Sequence, residues 1–398
     1  VKRVDMNGTE VTAAYQAEVK AAAPTGQDTQ STGLQGKLQT SHLNFTPGQA
    51  SINGQTATVP LAPEGPQFVV NGQIQQSNSL SVYDASGKLQ GTYTVQANGD
   101  ISFQPAPDFH GTPTPVRLRV RDKNGSTAEA VYQPTVIQVI PNSTDATSTG
   151  PQGIPQSGTP AFTPGDSAVP IDMDSPMTFE DGQSKKIVQG VGQYTINSDG
   201  TITFTPEKQY VGTPTPVTVK RVDKNGTEVT ATYTPTVTKV TPTSTNATST
   251  GPQGLPQTGT PIFAGGDPLV PIDETVEPTF EGGSKKKSIP GQGTYTITPD
   301  GSVTFTPEKQ FVGKPDPITV KRVDKNGTLV TATYTPTVTK VTPVGTNATS
   351  IGPQGVPQTA TPTFQGGDPL IPIDETVEPS FKDGNKEKVI PGQGTYTI

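Results

Sequence analysis

The sequence predicts an all-β protein, a tandem array of antiparallel β-sandwich domains of about 101 residues that follow one another like beads on a string. Three observations support this class. The same residues return at a fixed spacing, since Tyr194, Tyr295 and Tyr396 lie 101 residues apart. Apolar and polar residues alternate in short runs, which indicates strands with one buried face. Glycine, proline and Asx turns separate these runs about every ten residues, which favours a sandwich with a Greek-key connection over an open barrel.

The clearest repeated element is a β-hairpin at residues 217–235, VTVKRVDKNGTEVTATYTP, which returns at 318–336. Two alternating runs flank an Asp-Lys-Asn-Gly turn, and Asn-Gly accepts positive φ at little cost. This hairpin contains the polar side chains that are the strongest candidates for a functional site. We assign Lys224 and Asn225 to the turn and Arg221 to the end of the strand, so none of them is expected to form a site.

The repeat divides the chain into five parts. Residues 1–23 match the C-terminal part of a truncated repeat, 24–141 form a divergent copy with about sixteen extra residues, 142–242 and 243–343 are regular copies, and 344–398 match the N-terminal part of a truncated repeat. We call the last four parts the first to fourth copies. A period of this length is domain-sized, so each copy is expected to fold on its own core. Both ends fall within strands, which favours a section of a longer array.

Within one copy, the pattern predicts strands and a core. Seven strands are expected in the second copy, at 160–163, 169–172, 185–189, 193–197, 201–206, 217–223 and 227–237. Parity predicts a small core in the third copy: Phe263, Phe280, Tyr295, Ile297, Val303, Phe305, Phe311, Val320, Val330 and Tyr334. Because so few large side chains oppose the entropy of ordering the backbone, we expect a single copy to be marginally stable.

The segments between copies are rich in Pro, Thr, Ser and Gly, as in 239–261, KVTPTSTNATSTGPQGLPQTGTP. Proline stiffens such a segment and prevents it from forming a central strand, which favours a spacer. It is long for a simple connection, so part of it is expected to lie along a neighbouring sandwich.

Composition excludes several classes of partner. The net charge is −7, without a basic stripe, which argues against nucleic acid. No apolar run approaches the ~20 residues that span a bilayer, so membrane insertion is not expected. The chain contains no cysteine, which suits an exposed surface where free thiols would oxidise.

The residue inventory argues against an enzyme. The two histidines, His42 and His110, both lie in the first copy, and the chain contains no cysteine. The regular copies therefore cannot supply a Ser-His-Asp or Cys-His centre or the usual zinc ligands. We assign no catalytic, cofactor-binding or metal-binding residue and expect no cofactor.

The chain does contain the side chains for two other kinds of chemistry, calcium binding by carboxylates and an isopeptide bond between lysine and asparagine. Acidic loops could suggest calcium, but their spacing matches no known loop, so solvated loops are favoured; their members are Asp267, Asp273, Glu274 and Glu277 in the third copy and Asp172, Asp174, Glu180 and Asp181 in the second. A Lys-to-Asn isopeptide bond needs both partners buried together. Lys220 and Lys321 have outward parity, and Asn225 and Asn326 lie in turns, so no such bond is expected.

Short motifs between the copies match modification signals. LPQTG at 255–259 has the form of a sortase signal, but it precedes another domain and recurs in altered form at 154–158 and 356–360. It is therefore interpreted as part of the repeat. Asn246 and Asn347 begin formal N-glycosylation sequons, which arise easily by chance in Thr-rich segments.

Several of these motifs together resemble the CshA-type fibril repeats of streptococcal surface adhesins: the VKRVDKNGTxVTATYTPTVTKVTP module, the TSTGPQGxPQTGTPxF run and GxGTYTIxxDGxxTFTPEKxFVGxPxP. In that family, tandem repeats form a stalk, an N-terminal region binds host matrix such as fibronectin, and a C-terminal signal anchors the protein to the cell wall. The resemblance therefore implies a stalk segment, extracellular and wall-anchored on a Gram-positive bacterium, that carries a distal binding region. Because a row of marginally stable domains can absorb force as single domains unfold and release their contour length, we also expect the stalk to extend under load. Host matrix or other bacterial cells would be bound through regions outside this sequence.

An alternative function is that each copy is itself a weak module for adhesion or self-association and that the array gains avidity. Such modules would display a matched cluster of exposed aromatic side chains in every copy. The matched aromatics, Tyr194, Phe204 and Tyr233, have core parity instead. Neighbouring copies of the same chain are thus the expected partners.

Overall fold

The computed structural model describes residues 1–398 as 39 β-strands without a helix. Most strand pairs are antiparallel, and the larger sheets each have four or five strands. The predicted all-β sandwich class is confirmed. No helix of sufficient length and hydropathy to cross a membrane occurs in the structure.

The third copy is a sandwich of two four-stranded sheets. Its strands are β26 (Thr243–Thr245), β27 (Ala247–Pro252), β28 (Gln257–Gly259), β29 (Ile262–Ala264), β30 (Thr279–Phe280), β31 (Lys286–Ile289), β32 (Gly293–Ile297), β33 (Val303–Pro307), β34 (Ile318–Val323) and β35 (Leu329–Thr339). One sheet has the order β27-β35-β34-β30 and the other β28-β33-β32-β31, while β26 and β29 form a separate pair.

The second copy repeats this order with β17-β25-β24-β20 and β18-β23-β22-β21. Its strands are β16 (Asn142–Thr144), β17 (Ala146–Pro151), β18 (Gln156–Gly158), β19 (Ala161–Thr163), β20 (Thr178–Phe179), β21 (Lys185–Val188), β22 (Gly192–Ile196), β23 (Ile202–Pro206), β24 (Val217–Val222) and β25 (Glu228–Thr238). Six of the seven predicted strands are present, with ends shifted by at most one residue.

The first copy has the same plan with one longer sheet, β10-β9-β14-β15-β4, opposite β11-β12-β13-β5. Its strands are β3 (Thr25–Gln27), β4 (Thr29–Leu34), β5 (Gln39–His42), β6 (Asn44–Thr46), β7 (Gly48–Ile52), β8 (Gln55–Val59), β9 (Gln67–Val70), β10 (Gln73–Ile74), β11 (Ser79–Tyr83), β12 (Leu89–Val95), β13 (Asp100–Pro105), β14 (Val116–Arg121) and β15 (Thr127–Ile137). The extra residues of this copy form the hairpin β7–β8 and lengthen the hairpin β11–β12.

The two terminal parts contain short hairpins and pairs. Residues 1–23 contain β1 (Lys2–Val4) paired with β2 (Glu10–Thr12). The fourth copy contains β36 (Val344–Thr346), β37 (Thr363–Gln365), β38 (Glu387–Ile390) and β39 (Gly394–Thr397), which pair as β36–β37 and β38–β39.

The core of the third copy lies between its two sheets, where the parity argument placed it. Eight of the ten predicted residues are buried, and Phe263 and Phe311 are partly buried against them. Tyr295 on β32 meets Tyr334 on β35 edge to face at 6.1 Å, which joins the two sheets. Ile318 and Val338 complete the cluster.

The predicted strand at 169–172 is wrong. Only isolated bridges occur there, Asp166 with Val169 and Ile171 with Asp223. Pro170 interrupts the ladder because it has no N–H to donate, although its carbonyl accepts a bond from Lys224 N at 2.9 Å.

The spacer interpretation of 239–261 is also wrong. This segment supplies β26, β27 and β28 of the third copy itself, rather than lying along a neighbour. The strands β27 and β28 are edge strands of the two sheets, which agrees with the rule that proline-rich sequence cannot form a central strand.

One pairing departs from the antiparallel expectation. The edge strand β27 runs parallel to β35, with Ala247 opposite Tyr334 and Pro252 opposite Thr339. The first copy has the equivalent parallel pair, β4 with β15. Each of these copies thus has its first and last long strands side by side.

The chain divides into two compact units. The first contains Val1–Thr149, Pro155–Thr205 and Thr213–Thr236, and the second contains Gly150–Ile154, Pro206–Gly212 and Val237–Ile398. The first unit therefore includes the first copy with most of the second, and the second unit includes the third copy with three short segments of the second. The junction between the first and second copies lies within the first unit, and the junction between the second and third copies lies within the second unit.

Candidate functional site: the turns, acidic loops and junctions of the copies

The Asp-Lys-Asn-Gly turn is organised by a buried carboxylate. Asp223 is 1% exposed, and its Oδ1 accepts hydrogen bonds from the backbone N–H groups of Asn225 and Thr227 at 2.9 and 2.8 Å. Asp324 does the same for Asn326 and Thr328 at 2.9 and 2.7 Å. The Asx geometry fixes the turn, and the glycine that follows each asparagine has positive φ.

The lysine of each turn pairs with the acidic loop of its own copy. Lys224 contacts Asp172 and lies 2.7 Å from Asp174, while Lys325 lies 2.6 Å from Asp273. The lysine partner, together with a neighbouring hydroxyl, lowers the pKa of Asp172 to about 2, and the pKa of Asp273 falls to about 2 for the same reason. These carboxylates are therefore charged and paired with cations at neutral pH.

The other acidic residues are directed elsewhere. Glu274 lies 2.6 Å from the buried Arg322, and Glu277 contacts Lys285. Asp267 and Asp181 accept bonds from backbone N–H groups two residues further along the chain, and Glu180 is exposed. No group of three carboxylate or histidine side chains converges in a way that could hold a metal ion.

The remaining candidates for chemistry have separate partners. Lys220 lies 3.4 Å from Glu228, and Arg221 donates to the carbonyl of Ser175 at 3.4 Å. Lys220 and Asn225 thus do not form the pair that an isopeptide bond requires. Arg221 occupies the end of β24, as predicted.

His42, one of the two histidines of the first copy, contacts a carboxylate at the surface. His42 Nδ1 lies 2.8 Å from Asp100, and both side chains are half exposed. The neighbouring Ser41 hydroxyl bonds Thr29 at 3.1 Å. No nucleophile is joined to the histidine, so these residues do not form a Ser-His-Asp arrangement.

The LPQTG segment is part of the fold. Gln257 is 7% exposed, accepts a bond from Ser249 at 2.7 Å and donates to the carbonyl of Thr337 at 3.1 Å. Ser249 also bonds the hydroxyl of Tyr334 at 2.6 Å. The same Ser-Gln-Tyr network occurs in the second copy with Ser148, Gln156 and Tyr233 and in the first with Ser31, Gln39 and Tyr132.

The sequon asparagine Asn246 is also engaged in the fold, since its Oδ1 accepts the backbone N–H of Thr333 at 2.8 Å. This bond ties the start of β27 to the middle of β35.

The junctions contain contacts that sequence reasoning missed. Asn225 Nδ2 in the second copy donates to the backbone carbonyl of Gln35 in the first copy at 3.0 Å. Asn326 Nδ2 in the third copy donates to the carbonyl of Gln152 in the second copy at 2.8 Å. The assignment of Asn225 to a turn was right, but its side chain also contacts the preceding copy. The recurrence of Gln-Gly at the same place in every copy was the one available signal.

Comparison with known families and structures gives a consistent result. The family described as "Surface adhesin CshA repetitive domain" matches residues 21–136, 138–237, 239–338 and 340–398. The NMR structure of repeat domain 13 of the fibrillar adhesin CshA from Streptococcus gordonii is 87% identical over 18% of this chain and 90% of that chain, with a TM-score of 0.12. No curated protein matches.

More distant solved structures were also found. The extracellular cadherin domains 1–5 of protocadherin gamma B2 match at 12% identity, with a TM-score of 0.33, over 83% of this chain and 63% of that chain. Mouse cadherin-23 EC22-24 matches at 12% identity, with a TM-score of 0.32, over 80% of this chain and all of that chain. Because the four family matches together cover most of the sequence, the chain belongs to the surface adhesin CshA repetitive-domain family.

Proposed function

We propose that this chain is a section of the stalk of a bacterial surface fibril, which holds a distal binding region away from the cell wall and extends under load. Membership of an adhesin repeat family supports an adhesive or structural role at the cell surface rather than an enzymatic one. The domains of the stalk are 24–141, 142–242 and 243–343, flanked by partial copies at 1–23 and 344–398. Anchoring to the wall of a Gram-positive cell and binding to host matrix or other cells belong to other parts of the whole protein.

The observation that carries this proposal is the parallel pairing of the first and last long strands of a copy. When the chain is pulled from both ends, β27 is drawn towards the N-terminus and β35 towards the C-terminus. Because these strands are parallel neighbours over six residue pairs, the load acts along them, and their hydrogen bonds resist together instead of opening one at a time. The pair β4 and β15 gives the first copy the same resistance.

Side-chain bonds reinforce this pair. Ser249 on β27 bonds Tyr334 on β35 at 2.6 Å, and Thr339 donates to the carbonyl of Gly251 at 3.1 Å. Three aromatic side chains that recur in the copies are 0% exposed in the second copy: Tyr194, Phe204 and Tyr233. These recurring rings therefore belong to the core of each sandwich rather than to an exposed patch for a ligand.

Single-molecule pulling of the whole chain tests the proposal. We expect three unfolding steps: two release about 340 Å of contour, for 101 residues at about 3.4 Å each, and one releases about 400 Å, for the longer first copy. The forces should be comparable because the first and last long strands are neighbours in the sheet order of all three copies. Extension without discrete steps would overturn the load-bearing role.

A matched binding assay separates the alternative function. The whole chain should show no avid binding to immobilised host matrix protein and no self-association in sedimentation. Avid binding by this chain would favour weak adhesion modules instead.

A further inference from the structure

The loop that receives each junction asparagine is fixed by its own copy. We call Gln35-Gly36, Gln152-Gly153 and Gln253-Gly254 the QG loops, and 122–125, 223–226 and 324–327 the DKNG turns. In the second copy, Gln152 N donates to Thr238 O at 2.9 Å, its Nε2 donates to Lys208 O at 2.9 Å, and its Oε1 accepts from Val240 N at 3.3 Å. Gln35 makes the corresponding three bonds with Ile137, Pro107 and Val139 in the first copy.

The glycine of the QG loop has positive φ, and in the first two copies it also lies against the docked asparagine. Gly153 has a φ of +77°, and a Cβ there would overlap the side chain of Asn326. Gly36 has a φ of +74°, and a Cβ there would overlap the side chain of Asn225. Both the backbone conformation and the close approach of the turn thus select glycine.

The third copy shows that the QG loop forms without a turn against it. Gln253 makes the same bonds to Thr339, Lys309 and Val341, at 2.8, 3.0 and 3.4 Å. Gly254 has a φ of +82°, yet nothing lies within 4 Å of a Cβ built on it. The loop is therefore preformed, and the docked asparagine is an additional contact.

The QG loops that receive a turn are also more deeply buried than the one that does not. Gln35 and Gln152 are 3% and 4% exposed, and Val139 and Val240 are both 3% exposed. The corresponding Gln253 and Val341 of the third copy are only partly buried. Docking of a turn is thus accompanied by closure of a small junction core.

We propose that the DKNG turn of one copy and the QG loop of the copy before it form an interdomain latch, a specific interaction surface whose partner is another copy of the same repeat. The latch joins residues 190 positions apart at the first junction and 174 at the second. Its shared feature is an asparagine amide donor that meets one fixed carbonyl beside a glycine with positive φ. At the second junction, Gln209 Nε2 of the second copy also donates to the backbone carbonyl of Asn326. The latch makes consecutive copies a coupled pair rather than independent beads.

Asn326→Asp tests the latch in the whole chain, because it replaces the N–H donor by an oxygen that faces the carbonyl of Gln152. Hydrogen exchange should become about two- to tenfold faster at residues 150–154 and 237–241, the range that follows from losing one net hydrogen bond. Exchange at Tyr295 and Phe305, in the core of the third copy, should not change. Asn225→Asp should have the same effect at 34–37 and 137–140 and leave the second junction unchanged.

Asn124→Asp is the matched control, since Asn124 occupies the same turn position in the first copy and is exposed. It should leave exchange at both junctions as in the unmodified chain. The latch is refuted if Asn326→Asp leaves the second junction fully protected, or if Asn124→Asp opens the junctions to the same extent.

A second pair of variants separates the latch from backbone strain. Gly153→Ala and Gly254→Ala impose the same positive-φ strain, but only the first also displaces an asparagine. Gly153→Ala should therefore speed exchange at the second junction beyond the change that Gly254→Ala causes at residues 252–255. Adding Asn326→Ala to Gly153→Ala should produce little further change, because both remove one contact. Equal effects of the two glycine variants would overturn the proposal.

Discussion

At the scale of single residues, Asp223 and Asp324 connect turn geometry to the junction. Each carboxylate is 1% exposed and accepts two backbone N–H groups, which sets the direction of the asparagine side chain two residues later. Lysine in the same turn binds the acidic loop instead. Within one turn, the aspartate thus fixes the backbone, the lysine binds the acidic loop of its own copy, and the asparagine contacts the preceding copy.

The low pKa values of the two lysine-paired carboxylates predict how the stability of the protein changes in acid. The folded-state pKa of Asp172 and Asp273 is about 2, below the unfolded value of about 3.9. A lowered pKa contributes stability that is present above the unfolded pKa and is lost as the pH falls through the folded one. We expect the melting temperature to decrease as the pH is lowered from about 4 to about 2. This decrease should be smaller at high salt, because these carboxylates are near the surface and salt screens their charges.

Asp172→Asn and Asp273→Asn, measured by calorimetry across that range, should lower the midpoint at pH 7 and reduce its dependence on pH in acid. Asp267→Asn is a suitable control because Asp267 has no lysine partner in the structure and bonds a backbone N–H. An unchanged acid slope in the Asp273→Asn variant would contradict the assignment.

At the scale of elements, the Pro- and Thr-rich segments are edge strands whose positions depend on small residues. Gly259 in β28 lies against the ring of Tyr334, and Gly158 in β18 lies against Tyr233. These glycines let an edge strand approach the aromatic core closely, and the Ser-Gln-Tyr network bonds the same rings from the side. The glycine of the LPQTG sequence is therefore a packing residue.

Gly259→Ala should destabilise the third copy by about 1–3 kcal/mol, the usual cost of overpacking a filled core. A Cβ at this position would overlap Tyr334, whose position is fixed by β35. Chemical denaturation of the whole chain, followed by hydrogen exchange in β33 and β35, measures the change. Gly345→Ala is the control, since a Cβ there meets nothing closer than 3.4 Å. Equal stability of both variants would show that β28 shifts freely.

At the scale of the whole molecule, similar copies follow each other with the same strand order. The second and third copies share their sheet orders, whereas the first has a five-stranded sheet and an extra hairpin. Nearly identical neighbours can exchange equivalent strands during folding. A latch that is made only between folded copies would favour the correct pairing.

Repeated unfolding and refolding of single chains should therefore produce occasional double-length steps. We expect steps of about 690 Å, for 202 residues at about 3.4 Å each, from exchange between the second and third copies. Steps of about 740 Å, which would combine the first and second copies, should be rarer because the first copy differs in length. Equal frequencies of both kinds would contradict this prediction.

Local pattern was sufficient for much of the fold. Alternation identified eight buried core residues of the third copy and six strands of the second, because a half-buried strand exposes every second side chain to water. The same reasoning failed for 239–261, whose strands contain proline and glycine and have no alternating apolar face. These strands are held by backbone hydrogen bonds, which every residue except proline can form. Their pairing therefore cannot be predicted from the pattern of their side chains.

The sequence by itself determined the period, the hairpins and the core parity, since each depends on residues close together in the chain. Only the tertiary structure decided that β27 runs parallel to β35, and that Asn225 and Asn326 reach the copy before them. The physical reason is that a backbone carbonyl is the same in every residue. Which carbonyl meets the amide of an asparagine depends on how two folded domains bring distant segments together.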